Sequence, residues 1–353
     1  MWLDNFREAF VAATLDLLWQ HWTTLGVLGG TTEAHGWLLD PEALVAGTMR
    51  FGRYDPRLFD AVLDWLATND HWMSSTRLQR MQKKMALDDQ RVLAAVAGVL
   101  AETTASVKWK GLRDGETIAD ESSPPVPLFL RQDDTPLPQG RHEDPVFREH
   151  GFVRPPRQRR ELATPVSAQK PATLRFRLRG LFGVTSRSEI LLFLLTHPRA
   201  HPSLIARQTH YAQPPVAKAM AELATSGLIA ERRIDRTREY GLDTPAWLRF
   251  LSLNSVPQWA NWAIVFRALG EIWESTGGLR GKRLSPAVLG SELWQWAQQV
   301  APMLHRSEVD FTFRSFPRGE PERYPKIFLN DTKRLFDQFG VRFNVSSSTI
   351  NWS

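Results

Sequence analysis

Apolar residues recur every three or four positions through two long stretches of the chain, residues 1–104 and 251–353. This spacing is typical of amphipathic helices, because it places the apolar side chains on one face. The pair Asp55-Pro56 adds a helix start, a capping side chain followed by a first-turn proline. We therefore predict a helical, tryptophan-rich N-terminal domain over residues 1–104 and a mainly helical C-terminal domain over residues 251–353.

The segment between residues 105 and 172 has a different composition. It is rich in proline and charge and has little apolar periodicity, as in the stretch VRPPRQRR that begins at Val153. Such a composition buries too little apolar surface to offset the entropy lost on ordering. We predict a long, partly extended linker over residues 105–172, with a basic arm that contacts phosphates or stays solvated.

Three helix starts follow one another in residues 173–250. Ser186 and Glu189 have the spacing of a capping box, Pro202 opens a second helix, and the run QPP from Gln213 opens a third. Gly227 ends the third helix, because glycine adopts the left-handed conformation at a helix end without strain.

Two short strands then follow, over residues 228–234 and 238–242, with the tip DRT between them. Helices, a sharp turn, a further helix and a basic hairpin are the order of a winged helix-turn-helix. We predict a mainly α fold in which a winged helix-turn-helix domain over residues 173–250 is flanked by the two helical domains and preceded by the Pro-rich linker.

The stretch IARQTHYAQPPVAKAMAELATSGLI, which begins at Ile205, resembles the DNA-reading core of bacterial winged-helix transcriptional regulators of the MarR and ArsR type. The small residue Ala206, the inward residues Val216 and Met220, and the turn at Gly227 carry the resemblance. It covers only about residues 186–250, and it implies DNA binding as the function.

In a winged helix-turn-helix the third helix enters the major groove with its N-terminal residues leading, and the wing approaches the backbone. For such readout we predict that Gln213 contacts adenine, that Lys218 contacts guanine or a phosphate, and that Ala217 contacts a thymine methyl. We predict phosphate contacts from six further residues: Arg207, His210, Arg232, Arg233, Arg236 and Arg238.

The charge distribution supports an anionic partner. The chain carries a net charge of +6, and residues 173–250 hold 12 Lys/Arg against 6 Asp/Glu. A local basic excess is the electrostatic footprint of nucleic-acid binding, although a solvated basic face has the same composition. Cysteine is absent and no apolar run approaches a membrane span. We predict a cytoplasmic protein that does not insert into a membrane.

No pattern of catalytic, metal-ligating or cofactor-binding residues stands out. The stretch GGLRGKR from Gly277 lacks the spacing of a phosphate-binding loop. His197 and His201 have no neighbouring carboxylate in the sequence that would favour a metal site. We therefore predict no catalytic residue, metal or cofactor.

These patterns favour a sequence-biased DNA-binding protein, in the simplest case a prokaryotic transcriptional regulator that binds double-stranded DNA as a homodimer. Two other functions stay open, a scaffold whose winged helix docks a protein partner and a non-catalytic accessory subunit of a nucleic-acid-processing or defence system. An aromatic stripe follows the hairpin and is our prediction for the dimer contact; its alternative is packing inside its own subunit. The stripe consists of Trp259, Trp262, Phe266 and Trp273.

Overall fold

The fold of this computed structural model is mainly α, as predicted. Residues whose structure is described are 2–29, 32–85, 90–104, 106–114, 124–158, 160–161, 163–234 and 237–345.

The described residues of the N-terminal part form five α-helices, in agreement with the apolar spacing. Asp55 caps the helix Pro56–Asn69, its carboxylate accepting hydrogen bonds from the backbone N–H groups of Arg57 and Leu58, so the predicted helix start is confirmed. Asp40 caps the helix Pro41–Phe51 by accepting a hydrogen bond from the backbone N–H of Ala43. The five helices are α1 (Trp2–Thr24), α2 (Pro41–Phe51), α3 (Pro56–Asn69), α4 (Ser75–Met85) and α5 (Gln90–Thr103).

The described part of residues 105–172 is not a linker. Phe129, Phe147 and Phe152 are almost fully buried in the same core as the N-terminal helices, and the ring of Phe59 packs edge-on against both Phe129 and Phe147. A few aromatic side chains therefore anchor a segment whose overall composition is typical of disorder. Its regular elements are α6 (Lys108–Asp114), β1 (Val126–Pro127), α7 (Pro145–Glu149) and β2 (Phe152–Val153), with β1 parallel to β2.

Residues 174–259, which we name the module, form a second apolar core together with Leu38. Their elements are α8 (Leu174–Phe182), α9 (Ser186–Thr196), α10 (Pro202–Thr209), α11 (Gln213–Thr225), the antiparallel pair β3 (Ala230–Ile234) and β4 (Thr237–Gly241), and α12 (Thr244–Phe250). Beyond the module lie α13 (Trp262–Gly277), α14 (Pro286–Arg306) and α15 (Tyr324–Gln338).

The N-terminal and C-terminal helices form one body and not two separate domains. Phe6 and Phe10 of α1 pack against Phe328 and Phe336 of α15, with ring centroids 5.6 Å apart in each pair. A single apolar cluster includes residues from 6 to 176 and from 260 to 343. The module is thus inserted between two halves of one body, which we define as the described residues of 2–173 and 260–345.

A buried ionic cluster joins the module to the body. Guanidinium groups and carboxylates alternate within it: Arg77 Nη1 lies 2.6 Å from Glu42 Oε2, and Arg179 Nη2 lies 2.8 Å from Glu189 Oε1 and 2.9 Å from Glu42 Oε2. Arg175 contacts Glu189 as well as Asp40. The ionic cluster has six members, each no more than 3% exposed: Asp40, Glu42 and Arg77 of the body, and Arg175, Arg179 and Glu189 of the module.

The cluster is electrically balanced, with three arginines and three carboxylates. Burial alone would raise the pKa of Glu189, but the nearby arginines outweigh it and lower that pKa to about 2. The same opposition holds the pKa of Asp40 well below its usual range. Because the carboxylates of Asp40 and Glu189 are surrounded by guanidinium groups, they stay ionised and pair with arginines of both the body and the module.

The burial of His21 makes the free energy of unfolding depend on pH. His21 of α1 is fully buried, its ring is edge-on to Trp262 at 4.5 Å, and neither ring nitrogen has a hydrogen-bond partner in the described structure. Burial lowers the pKa of His21 to about 3. Between pH 6.5 and about 3 the unfolded chain therefore binds a proton that the folded chain does not, and the free energy of unfolding falls as the pH falls.

In the wild type we expect His21 to lower the free energy of unfolding by about 2 kcal/mol between pH 7 and pH 5, and the His21→Leu variant should lack this decrease. Urea denaturation at the two pH values measures the difference. His35→Leu, at an exposed position, is the control and should leave the pH dependence as in the wild type. Equal pH dependence in the wild type and His21→Leu would contradict the assignment.

Candidate nucleic-acid interface

The start of α9 differs from the predicted capping box. The hydroxyl of Thr185 caps the helix by accepting a hydrogen bond from the backbone N–H of Arg187. Glu189 turns inward to the ionic cluster and is fully buried. The local capping pattern was therefore the wrong interpretation of Glu189, because two arginines of α8 compete for its carboxylate.

The turn between α10 and α11 is held by His210. This residue has a left-handed backbone, with φ of 60°, and its Nε2 lies 3.0 Å from Asn261 Oδ1 of the body. Burial and the charge of Arg77 lower the pKa of His210 to about 4. The predicted phosphate contact from His210 is wrong, because the ring is only 1% exposed and stays neutral.

Helix α11 has the two predicted faces. Val216, Met220 and Leu223 are buried in the core of the module. Gln213 and Lys218 are exposed, and Ala217 is half-buried beside them. The helix ends at Thr225 and Gly227 follows with φ of 75°, so the predicted glycine stop is confirmed.

The hairpin that follows is antiparallel, and its register pairs Arg232 with Glu239 and Arg233 with Arg238. Side chains of Arg232, Arg233 and Arg238 are exposed, with Arg238 Nε 3.6 Å from Glu231 Oε1. Arg236 lies outside the described residues. The hairpin therefore presents a basic edge at the surface of the module.

A third backbone segment extends the hairpin. Ala200, between α9 and α10, exchanges two backbone hydrogen bonds with Tyr240 of β4, at 2.9 and 3.0 Å. The order of elements is consequently α9, a one-residue bridge, α10, α11, β3 and β4. The bridge fixes the hairpin against the helices through Tyr240, which is buried.

Arg207 lies in a different setting from the hairpin arginines. Its exposed side chain lines a cleft of about 790 Å³ between α10 and the end of α14, together with His305 and Arg306. Neighbouring Gln208 donates to the backbone carbonyl of Arg306 and to Glu308. The structure thus places Arg207 at the junction of module and body.

The predicted dimer stripe packs inside its own subunit. Trp262 and Phe266 are fully buried, and Trp259 and Trp273 are 6% and 5% exposed. Trp262 donates to the backbone carbonyl of Leu38, and the guanidinium of Arg7 lies 3.5 Å from the ring of Trp273. The dimer contact predicted for these four residues is therefore wrong, because their surfaces are already covered by the body and by the module.

Comparison of the chain with protein families, curated proteins and solved structures gives no match. Within the described structure, no three His, Asp or Glu side chains lie together as metal ligands. None of the described helices is long and apolar enough to cross a membrane.

Proposed function

We propose that the module is a winged helix-turn-helix that binds double-stranded DNA with a modest sequence preference. In this proposal α11 is the recognition helix, and β3 with β4 is the wing. The order from α9 to β4, including the bridge at Ala200, supports this assignment. The simplest biological role is that of a prokaryotic transcriptional regulator.

One observation carries the proposal: the outward face of α11 is uncovered although the module is otherwise fixed to the body. The ionic cluster occupies α8 and α9, and Gln208, His210 and Asn261 hold the end of α10. Gln213 and Lys218 remain exposed at the leading end of α11. A groove-reading helix must present its N-terminal residues in this way.

The polar groups of this face suit weak direct readout with strong backbone contact. Gln213 offers both a donor and an acceptor to an adenine edge, and Lys218 offers a cation to guanine or phosphate. The exposed arginines of the hairpin supply sequence-independent attraction to phosphates. Two half-sites call for a homodimer, and in the proposal it forms through a surface other than the buried aromatic stripe.

A docking role for a protein partner is favoured by a different feature of α11. Its exposed positions include Pro214, Pro215 and Ala221, and Glu222 forms an ion pair with Arg187 of α9. Small apolar groups and a paired acid suit a protein surface better than a phosphate backbone. DNA binding therefore has to be tested directly.

We expect the wild-type protein to bind duplex DNA with an affinity that falls steeply as salt rises. Arg232→Gln combined with Arg238→Gln should lower the slope of log K against log salt by about two units, about one for each lost phosphate contact. At 0.1 M salt this corresponds to roughly a tenfold loss of affinity for each contact. Fluorescence anisotropy with a labelled duplex measures both quantities.

The control for the hairpin variant is Arg318→Gln, an exposed arginine of the body, which should leave the slope unchanged. Circular dichroism verifies that both variants are folded. Absence of binding by the folded wild type at 50 mM salt would overturn the DNA-binding proposal and leave the docking role. An unchanged slope in the hairpin variant would remove the wing from the interface.

A separate experiment tests α11 as the reading element. Duplexes that bind the wild type are first selected from a random pool. The wild type should bind them more tightly than unselected DNA, and replacing Gln213 or Lys218 by alanine should lower this difference in binding free energy by about 1–3 kcal/mol. Thr225→Ala, exposed at the far end of the same helix, is the control. If specific and non-specific affinity fall equally, these side chains contact phosphates and do not read bases.

A further inference from the structure

A cavity of about 410 Å³ lies in the body, between the start of α3 and residues 129–160. Its volume falls within the range of small-molecule sites. One wall of it is the proline-rich stretch after Val153, which the sequence predicted to be part of a linker. Arginines and prolines of this stretch line the cavity opposite the start of α3.

Arg154 is the buried polar group of this wall. Its side chain is 1% exposed, Nη2 lies 3.0 Å from Asp60 Oδ2, and Nε donates to the carbonyl of Pro155. Its Nη1 has no hydrogen-bond partner among the described residues. A buried guanidinium nitrogen without an acceptor is costly, and an anionic ligand oxygen that reached Nη1 would supply the acceptor.

The charge of the lining is positive. Arg57 and Arg160 also line the cavity and are exposed at its rim. Neither is in an ion pair within the described structure; Arg160 donates to Gln158 Oε1 at 3.1 Å. Among the described lining residues Asp60 is the single carboxylate, and it already contacts Arg154. The cavity therefore has three guanidinium groups and one carboxylate.

The remainder of the lining is largely apolar and rigid. Phe129 and Leu137 form one part of it, and four prolines at positions 56, 138, 155 and 156 form another. The guanidinium of Arg154 lies 5.0 Å from the ring of Phe129, so charge and apolar surface adjoin. Flat apolar groups pack well on proline and aromatic rings, because few rotamers are lost there.

We propose that this cavity binds a small organic acid, a flat apolar molecule that carries one carboxylate. In this proposal the carboxylate of the ligand contacts the arginines, and its apolar ring system packs on the prolines and Phe129. This site is separate from the DNA-binding proposal, because ligand binding is measured without DNA.

Isothermal titration calorimetry with 2-naphthoate tests the inference, with neutral 2-naphthamide and inorganic phosphate as matched probes. We expect one molecule of 2-naphthoate to bind with a dissociation constant below about 1 mM. The amide should bind at least about tenfold more weakly, because it lacks the charge that the arginines contact. Phosphate should also bind at least about tenfold more weakly, because it lacks the apolar ring system of 2-naphthoate.

Arg57→Gln combined with Arg160→Gln removes rim charge at exposed positions and keeps Arg154 paired with Asp60. This variant should bind 2-naphthoate at least about tenfold more weakly than the wild type and bind 2-naphthamide unchanged. Arg141→Gln, at an exposed position outside the lining, should match the wild type. Failure of 2-naphthoate to bind, equal binding of acid and amide, or equal binding of phosphate would overturn the inference.

Discussion

Glu42→Ala is expected to lower the free energy of unfolding by about 3–5 kcal/mol, the cost of removing one partner from a buried ion pair. The Glu42 carboxylate accepts hydrogen bonds from Arg77 and Arg179 and from the backbone N–H of Ser74. Without it, three guanidinium groups are left with two carboxylates at positions that are no more than 3% exposed. A buried charge without a partner is strongly destabilising.

Urea denaturation followed by circular dichroism measures this loss, and Glu222→Ala is the matched control. Glu222 pairs with Arg187 at the surface, where the two side chains are 43% and 46% exposed. An exposed pair contributes only about 0–1 kcal/mol. A loss below about 1 kcal/mol for Glu42→Ala would mean that water reaches the cluster, and the module would not be fixed by it.

Gly290→Ala is expected to cost more than about 3 kcal/mol, above the usual range for overpacking, because the obstacle is backbone. A Cβ at this position of α14 would lie 1.8 Å from the carbonyl oxygen of Pro321. Neither partner is a flexible side chain, so α14 and the chain at Pro321 would have to move apart. Their separation would open the C-terminal half of the body.

The control for this substitution is Gly111→Ala in α6, where an added Cβ meets nothing within 4 Å. Alanine favours a helix over glycine by up to about 1 kcal/mol, so Gly111→Ala should stabilise the protein slightly. Thermal denaturation compares the two variants. A Gly290→Ala protein as stable as the wild type would show that α14 packs less closely than described.

Elements with local causes could be predicted from the sequence. Helix α11 begins at Gln213 and ends before Gly227, because a proline pair and a glycine act on the residues beside them. The hairpin strands were predicted to within two residues for the same reason. The residues next to Glu189 in the sequence, by contrast, do not show that its carboxylate pairs with Arg175 and Arg179 and does not cap α9.

The aromatic stripe shows a second limit of sequence patterns. Helical spacing established that Trp262 and Phe266 share a face, and the structure buries that face completely. Spacing does not distinguish a surface covered by the same chain from one covered by a second copy. The candidate site has the same limit: exposure of Lys218 follows from the amphipathic pattern of α11, whereas burial of His210 depends on Asn261, 51 positions away.

Because the module is inserted between two halves of the body, residues that pack together in the body are synthesised far apart in time. The apolar face of α1 is completed by Phe328 and Phe336, which are translated more than 300 residues later. At about 5–20 residues per second, roughly 15–60 seconds pass before α15 leaves the ribosome. For that time the face of α1 that Phe328 and Phe336 cover in the folded protein has no partner from α15.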